Sequence, residues 1–360
     1  MPSADGGEPH KGRGAVSNPE GRFEPVSREP VDDGWGDKDL PPPTLRTEVA
    51  ADAARTAITW NDSPDLPFDR SVNPYRGCEH GCVYCYARPS HAYWDLSPGL
   101  DFESRILAKP QAPRLLEQEL AHPDYACAPM ALGTNTDPYQ PIEKQYGITR
   151  GVLEVLSRSR HPVSIVTKST LVERDLDLLG PMATAGLATV TISVTTFDRD
   201  LSRRLEPRAA APNRRLRTIR NLREAGIPVG ILVAPVVPVL TDSEIEMILE
   251  AVAEAGAGSA GYVLLRLPHE VEGLFREWLT THYPMKADHV MSRLVDARDG
   301  RANDPEFGSR MTGTGAYAEM IGRRFNLACK RLGLTGHDFD LDTSLFTPPP
   351  PPSGTQLNLL

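Results

Sequence analysis

The sequence predicts an α/β fold of parallel βα units, arranged as a partial, open (β/α)6 barrel with a C-terminal helical extension and disordered tails. Three observations predict it. Six short apolar runs alternate with five stretches of helical spacing. The runs are apolar on both faces, as in AGLATVTISV and GIPVGILVAPVV, which suits a sheet covered by helices on each side. Six units are also too few to close a complete eight-unit barrel. In folds of this kind the chemistry gathers at the carboxyl ends of the strands.

Taken in order, residues 1–45 are built of Gly, Pro, Ser and charge and end near Pro41-Pro42-Pro43, so they bury too little apolar surface to offset their ordering entropy. Strands are expected at Ser71–Tyr75, Pro129–Gly133, Val163–Thr167, Ala188–Val194, Val229–Val233 and Gly261–Arg266. Helices are expected at Arg114–Leu120, Thr149–Ser159, Val172–Ala185, Pro212–Ala225 and Asp242–Ala255, joined to the strands by right-handed crossovers. From Pro268 to Leu334 the spacing is helical, clearest in FREWL and AYAEMIGRRFNLACKRLGL, with Gly333 as the stop. Pro348 to Pro352 is a proline run that should extend as polyproline II. The expected organisation is a tail over 1–45, a core over 46–267, a helical extension over 268–346 and a proline-rich tail over 347–360.

Composition narrows the class. With 24% charged and 40% apolar residues, the 360-residue chain is neither wholly disordered nor a membrane protein. Its longest apolar run, Val229 to Leu240, is interrupted by Pro235 and Pro238 and is shorter than the roughly 18 residues a spanning helix needs. MPSADGGEPHKGRG lacks the apolar stretch of a secretory signal and is too acidic for an import peptide, so a cytoplasmic location is expected. A net charge of −9 disfavours a general nucleic-acid coat but leaves room for a local basic groove.

Three of the five cysteines, Cys78, Cys82 and Cys85, fall in NPYRGCEHGCVYCYARPSHAYW with the spacing Cys-x3-Cys-x2-Cys. Three thiolates this close can hold three irons of a four-iron cluster and leave the fourth iron open to another ligand. Gly77 and Gly81 allow a tight loop, and Arg76 is placed to offset the thiolate charge. The alternative is a zinc site with His80 or His91 as the fourth ligand. Zinc sites usually pair two separated ligand couples, whereas Cys127 and Cys329 stand alone and read as small core residues.

With aromatic Tyr84 just before its last cysteine, this loop resembles the signature of radical S-adenosylmethionine (SAM) enzymes. YRGCEHGCVYCYAR followed by LGTNTDPYQPIE, VTKSTLVERD, ISVTT and LEPRAAAPNRRL is similar, over about residues 70 to 267, to the branch around spore photoproduct lyase, often labelled DNA repair photolyase-like. The resemblance implies the partial barrel of that superfamily and a [4Fe-4S] cluster on Cys78, Cys82 and Cys85. It also implies SAM chelated to the open iron, and an external electron donor of the flavodoxin or ferredoxin type whose electron splits the sulfonium to a 5′-deoxyadenosyl radical.

The resemblance further implies that Tyr84 lies against the adenine, that Lys168 pairs with the SAM carboxylate and that Ser193 bonds its ribose or methionine part. Thr136 and Asp137 would face the SAM ammonium, although Asp137-Pro138 also reads as an ordinary turn. In spore photoproduct lyases a cysteine that returns a hydrogen atom to the substrate stands where this chain has Thr134. The chain is then expected to act on a different substrate or to use another donor, such as a tyrosine near Tyr139.

Nine arginines lie between Arg199 and Arg223 against only Asp200 and Glu206. They read either as phosphate contacts to a nucleic-acid substrate or as a solvated helix face. The rival to an enzyme is a non-enzymatic iron-sulfur or zinc module that binds nucleic acid through these arginines.

Overall fold

The computed structural model describes residues 9–23, 45–335 and 340–350. Among them the strands are β1 (Glu48–Ala51), β2 (Ile58–Trp60), β3 (Arg70–Val72), β4 (Tyr75–Arg76), β5 (Arg105–Ala108), β6 (Met130–Leu132), β7 (Val163–Thr167), β8 (Ala188–Ser193), β9 (Val229–Val236) and β10 (Ser259–Leu264). The main sheet runs β10-β9-β8-β7-β6-β3-β2. Its six strands from β3 to β10 are all parallel, and each lies beside the next in sequence. A parallel sheet wound in one direction curls toward a barrel and brings every strand's carboxyl end to one edge.

Most of the expected elements are present. β7 and β8 are buried over nearly their whole length, as apolar runs demand, and Gly333 ends the helix Gly315–Leu332 in the left-handed conformation. The first unit differs. β3 stops at Val72, and Tyr75–Arg76 turns away to pair with β5, which with β1 forms a separate three-stranded sheet. These short strands carry too few residues for a period to show. β2, antiparallel to β3, adds an edge strand.

The ends also hold more order than their composition suggests. Residues 9–23 fall in the stretch expected to be disordered, yet they lie against the core. The amides of Gly14 and Ala15 donate to Glu103, and Ala15 packs with Leu100 and Leu274, specific contacts that composition does not register. Near the other end, Phe346 packs edge-on against His161, and Thr347 N–H donates to the Ser159 carbonyl at 2.9 Å. Residues 1–8, 24–44 and 351–360, which include most of both expected tails, are outside the described residues.

Two cores matter for the site. One fills the sheet and its covering helices. The other lies above the strands' carboxyl edge, where Val83, Tyr84, Leu201 and Leu205 meet Val271, Phe275, Trp278 and Leu279 of the helix Val271–His282. Trp278 is fully buried, stacks on Phe275 and donates to the Arg204 carbonyl at 3.1 Å. The helical segment after Pro268 therefore roofs the cysteine loop. Among the described residues no helix is long and apolar enough to cross a membrane.

Candidate active site

The cysteine loop leaves β4 at the carboxyl edge of the sheet. Gly77 and Gly81 take φ of +77° and +66°, which side chains resist, and Cys78 N–H donates to the Phe102 carbonyl at 2.9 Å. Cys78, Cys82 and Cys85 are free thiols. Burial pushes all three pKa values up, helped at Cys78 by Asp137 and the other two thiols and at Cys82 by Glu206 and Cys85, so their protons must leave when a metal binds. Lys168 beside Cys82 and Cys85, Arg215 near Cys82 and Arg88 near Cys85 oppose that rise. Arg76, expected in this role, instead pairs with Asp52 at 2.6 Å and covers the Trp94 ring.

Arg88 is the loop's fixture. Wholly buried, it donates from Nε to the Cys82 carbonyl at 2.9 Å, from Nη2 to the Gly81 carbonyl at 3.3 Å, and to the carboxylate of Glu103. Glu103 in turn accepts the amides of Gly14 and Ala15, each at 2.8 Å. Gly14 presses directly on the loop, since a Cβ there would overlap the Gly81 carbonyl oxygen. The strap of residues 10–22 is thus joined through Glu103 and Arg88 to the carbonyl of a cysteine ligand candidate.

Lys168 follows β7 and Ser193 ends β8, and their side chains meet. Lys168 Nζ donates to Ser193 Oγ at 2.5 Å and lies 5.9 Å above the Tyr84 ring. Glu206, which sequence reading counted only as a counter-charge, is the hub of this group. It accepts from Tyr84 OH, from Thr195 Oγ1 at 2.5 Å and from Arg215 Nη2, and it stands 3.7 Å from Lys168 Nζ. Burial alone would raise its pKa, but Arg215, Lys168 and the hydroxyl donors hold it down at about 2. The signal was present in LEPRAAAPNRRL: one carboxylate inside an arginine-rich stretch, with Arg215 nine residues on.

Thr136 and Asp137 do not join this group. Thr136 Oγ1 donates to the Tyr75 carbonyl at 3.1 Å. Asp137 accepts from Thr167 Oγ1 at 2.7 Å, Lys168 N at 2.8 Å and Tyr139 N at 2.9 Å, and His80 Nδ1 lies 3.2 Å from it. Burial would raise the Asp137 pKa, yet His80 and these donors hold it below the usual carboxylate range. Asp137 ties the ends of β6 and β7 to the cysteine loop. Tyr139 is wholly buried and donates to Asp175 Oδ2 at 3.1 Å, which removes it as a donor at the strand edge. The tyrosine exposed there is Tyr86, whose hydroxyl donates to the Thr134 carbonyl.

The donor set fits an iron-sulfur cluster and SAM in its chemistry. Among the described residues no three His, Cys, Asp or Glu side chains converge on a single-ion site, whereas the ligands of a cluster each bind a separate iron and need not meet at a point. Of the zinc candidates, His80 is held at Asp137, and His91 lies behind the loop against Phe102, with burial lowering its pKa to about 4.

A parallel sheet wound in strand order thus carries a three-cysteine loop and a lysine-serine-glutamate group at its carboxyl edge. The chain belongs to the radical SAM superfamily, whose family model matches residues 72–252. An uncharacterized protein of Mycobacterium tuberculosis (strain ATCC 25618 / H37Rv) is 40% identical over 221 residues, 61% of this chain and 65% of its own length. The chain thus spans less than two thirds of that relative. An uncharacterized protein of Methanocaldococcus jannaschii is 27% identical over 227 residues, 63% of this chain and 81% of its own length. In fold, the chain is similar to spore photoproduct lyase solved with dinucleoside spore photoproduct, at a TM-score of 0.56 and 15% identity over 79% of each chain.

Proposed function

We propose that this protein is a radical SAM enzyme that holds a [4Fe-4S] cluster on Cys78, Cys82 and Cys85, binds SAM beside Tyr84, Lys168 and Ser193, and acts on a nucleic-acid substrate. The observation that carries the reading is the charge arrangement at Glu206. One carboxylate lies between Arg215 and Lys168, so a positive charge remains facing the strand ends next to three thiols. That is the complement of the SAM carboxylate.

Bound there, the cluster supplies the electron that cleaves the SAM sulfonium. The chain's own residues bind and orient. Ser193 and Glu206 hold the Lys168 ammonium in place over the Tyr84 ring, and the Tyr84 hydroxyl is fixed by Glu206 and Thr195. Asp137 and Thr136 keep the strand ends and the loop in register. The helix Val271–His282 covers the loop with apolar side chains and excludes water from it. In this reading residues 46–267 are the catalytic core and the segment after Pro268 is its roof. The nucleic-acid substrate is supported by the likeness in fold to a lyase whose solved complex contains a dinucleoside.

Anaerobic reconstitution tests the cluster. The parent should bind about four irons and four sulfides per chain, Cys78→Ala, Cys82→Ala and Cys85→Ala should each lose most of them, and Cys127→Ala and Cys329→Ala should not. Reduced protein should then form 5′-deoxyadenosine, with deuterium exchange between labelled SAM and DNA oligomers. Stoichiometric zinc without iron would sink the reading.

A further inference from the structure

The arginine-rich stretch divides into two groups in the structure. Arg215 turns inward to Glu206 and the Ser193 carbonyl. Arg214, Arg217, Arg220 and Arg223 lie on the helix Pro212–Glu224, which packs on the outer face of the sheet, away from the cysteine loop. Arg199, Arg203, Arg204 and Arg208 are exposed on residues 199–208, and this segment is bonded to the cysteine loop itself. Val83 N–H donates to the Leu205 carbonyl at 3.1 Å, and Arg208 N–H donates to the His80 carbonyl at 3.2 Å. Leu201 and Leu205, on the buried side of the same segment, pack in one apolar cluster with Cys82.

Exposed Arg46 joins them, and buried Arg13 lies behind. Arg13 and Arg208 both donate to Thr47 Oγ1, each at 3.1 Å, and exposed Arg46 precedes that threonine. The charges crowd one another: burial and then the Arg208 charge lower the Arg13 pKa. The acids in the neighbourhood are already engaged. Glu79 pairs with Arg208 at 2.9 Å, Asp200 with Arg203 at 3.2 Å, and Asp198 caps the helix Arg199–Leu205. Glu103 is taken by Arg88 and the strap amides. In a chain of net charge −9, residues 199–208 carry four arginines against Asp200 and Glu206, and Glu206 is buried.

We propose that residues 199–208, with Arg46, form the docking surface for a small acidic electron-transfer protein of the flavodoxin type. The inference rests on the reading of Cys78, Cys82 and Cys85 as cluster ligands. The anionic flavin hydroquinone gives up one electron, becoming the neutral semiquinone without loss of a proton, and the oxidised cluster takes up that electron. Charge complementarity accelerates encounter and orients the flavin toward the loop.

The test pairs two charge reversals in the full chain: R199E/R203E in the patch and R217E/R220E on the outer helix. Binding of oxidised flavodoxin is read by its flavin fluorescence, and reduction of the reconstituted cluster by flavodoxin hydroquinone is read by stopped flow. R199E/R203E should weaken binding and slow reduction by about tenfold at low ionic strength, the difference shrinking in high salt. Its iron content and its reduction by dithionite should equal the parent's, and R217E/R220E should stay within about twofold of the parent in all assays. Parent-like binding by R199E/R203E, or equal losses in both variants, would overturn the proposal. So would a loss confined to single-stranded oligonucleotide binding, which would make the patch a nucleic-acid surface. The fluorescence arm needs no iron, so a failed cluster assignment and a failed docking surface give different results.

Discussion

Lys168 Nζ stands 3.7 Å from Glu206 Oε1, and the other oxygen of that carboxylate accepts from Arg215. The three side chains come from the end of β7, the turn after the helix Arg199–Leu205 and the helix Pro212–Glu224. Removing Lys168 leaves a balanced Glu206–Arg215 pair, so Lys168→Ala should fold with an unchanged iron count and bind SAM about tenfold more weakly, by isothermal titration. Removing the carboxylate is different. Glu206→Gln strands two cations in a buried site and should cost about 3 kcal/mol by chemical denaturation at pH 7.

That group marks the division between what was legible and what was not. The βα alternation, the cysteine loop, Lys168 and Ser193 could be read from sequence because strand periodicity and strand ends have local signatures. Glu206, Arg88 and Glu103 could not. Each acts through partners 15 or more residues distant or on another element, as Glu206 does with Tyr84 and Glu103 with Gly14, and such pairing leaves no period. For Asp137 the edge was legible but its protein partners were not, because a strand-end carboxylate looks the same whether it faces a ligand or ties two loops together.

The strap offers a direct test of that hidden layer. Gly14→Val would drive a side chain into the Gly81 carbonyl, a rigid backbone neighbour, and should lift residues 10–22 away from Glu103. In hydrogen exchange, the loop amides of Cys78 and Val83 should open about tenfold faster, equivalent to about 1.4 kcal/mol of local stability, while amides of β7 and β8 keep the parent rate. Unchanged exchange in the loop would show that the strap does not support it.

A pH effect follows from His161. Its Nδ1 meets the Pro162 carbonyl at 2.9 Å, its Nε2 meets Tyr125 OH at 2.8 Å, and Phe346 packs on its ring. The ring is wholly buried, and burial foremost, with Arg70 nearby, lowers its pKa from 6.5 to about 4. The unfolded chain therefore binds this proton at higher pH than the folded one, so folding stability is full above pH 6.5 and declines as pH falls toward 4. Between those values His161 should contribute a slope of up to about 1.4 kcal/mol per pH unit. Denaturation of the parent and His161→Gln at stepped pH should show a flatter profile for the variant, and parallel profiles would refute the assignment.

The last prediction concerns the hydrogen atom. Thr134, at the end of β6, stands where the resembling lyases carry a cysteine, and its aliphatic O–H bond is too strong to give a hydrogen atom to a carbon radical as a thiol does. Its hydroxyl is also held between the amide atoms of Asn73, at 3.3 and 3.4 Å. Cys127 lies before β6, at the opposite end of the sheet, and Cys329 is buried on the helix Gly315–Leu332. Tyr84 is buried with its hydroxyl on Glu206, whereas the exposed phenol of Tyr86 has an O–H weaker than an aliphatic alcohol's and already points at the Thr134 carbonyl. The protein should therefore not repair the spore photoproduct efficiently. Reduced enzyme with SAM and an oligonucleotide carrying that lesion should form 5′-deoxyadenosine while restoring less than about one thymine pair per chain. Thr134→Cys should raise that yield several-fold, and Tyr86→Phe should lower the residual yield without changing iron content or SAM binding. Many turnovers by the parent would overturn the prediction, and a parent-like yield from Tyr86→Phe would remove Tyr86 as the donor.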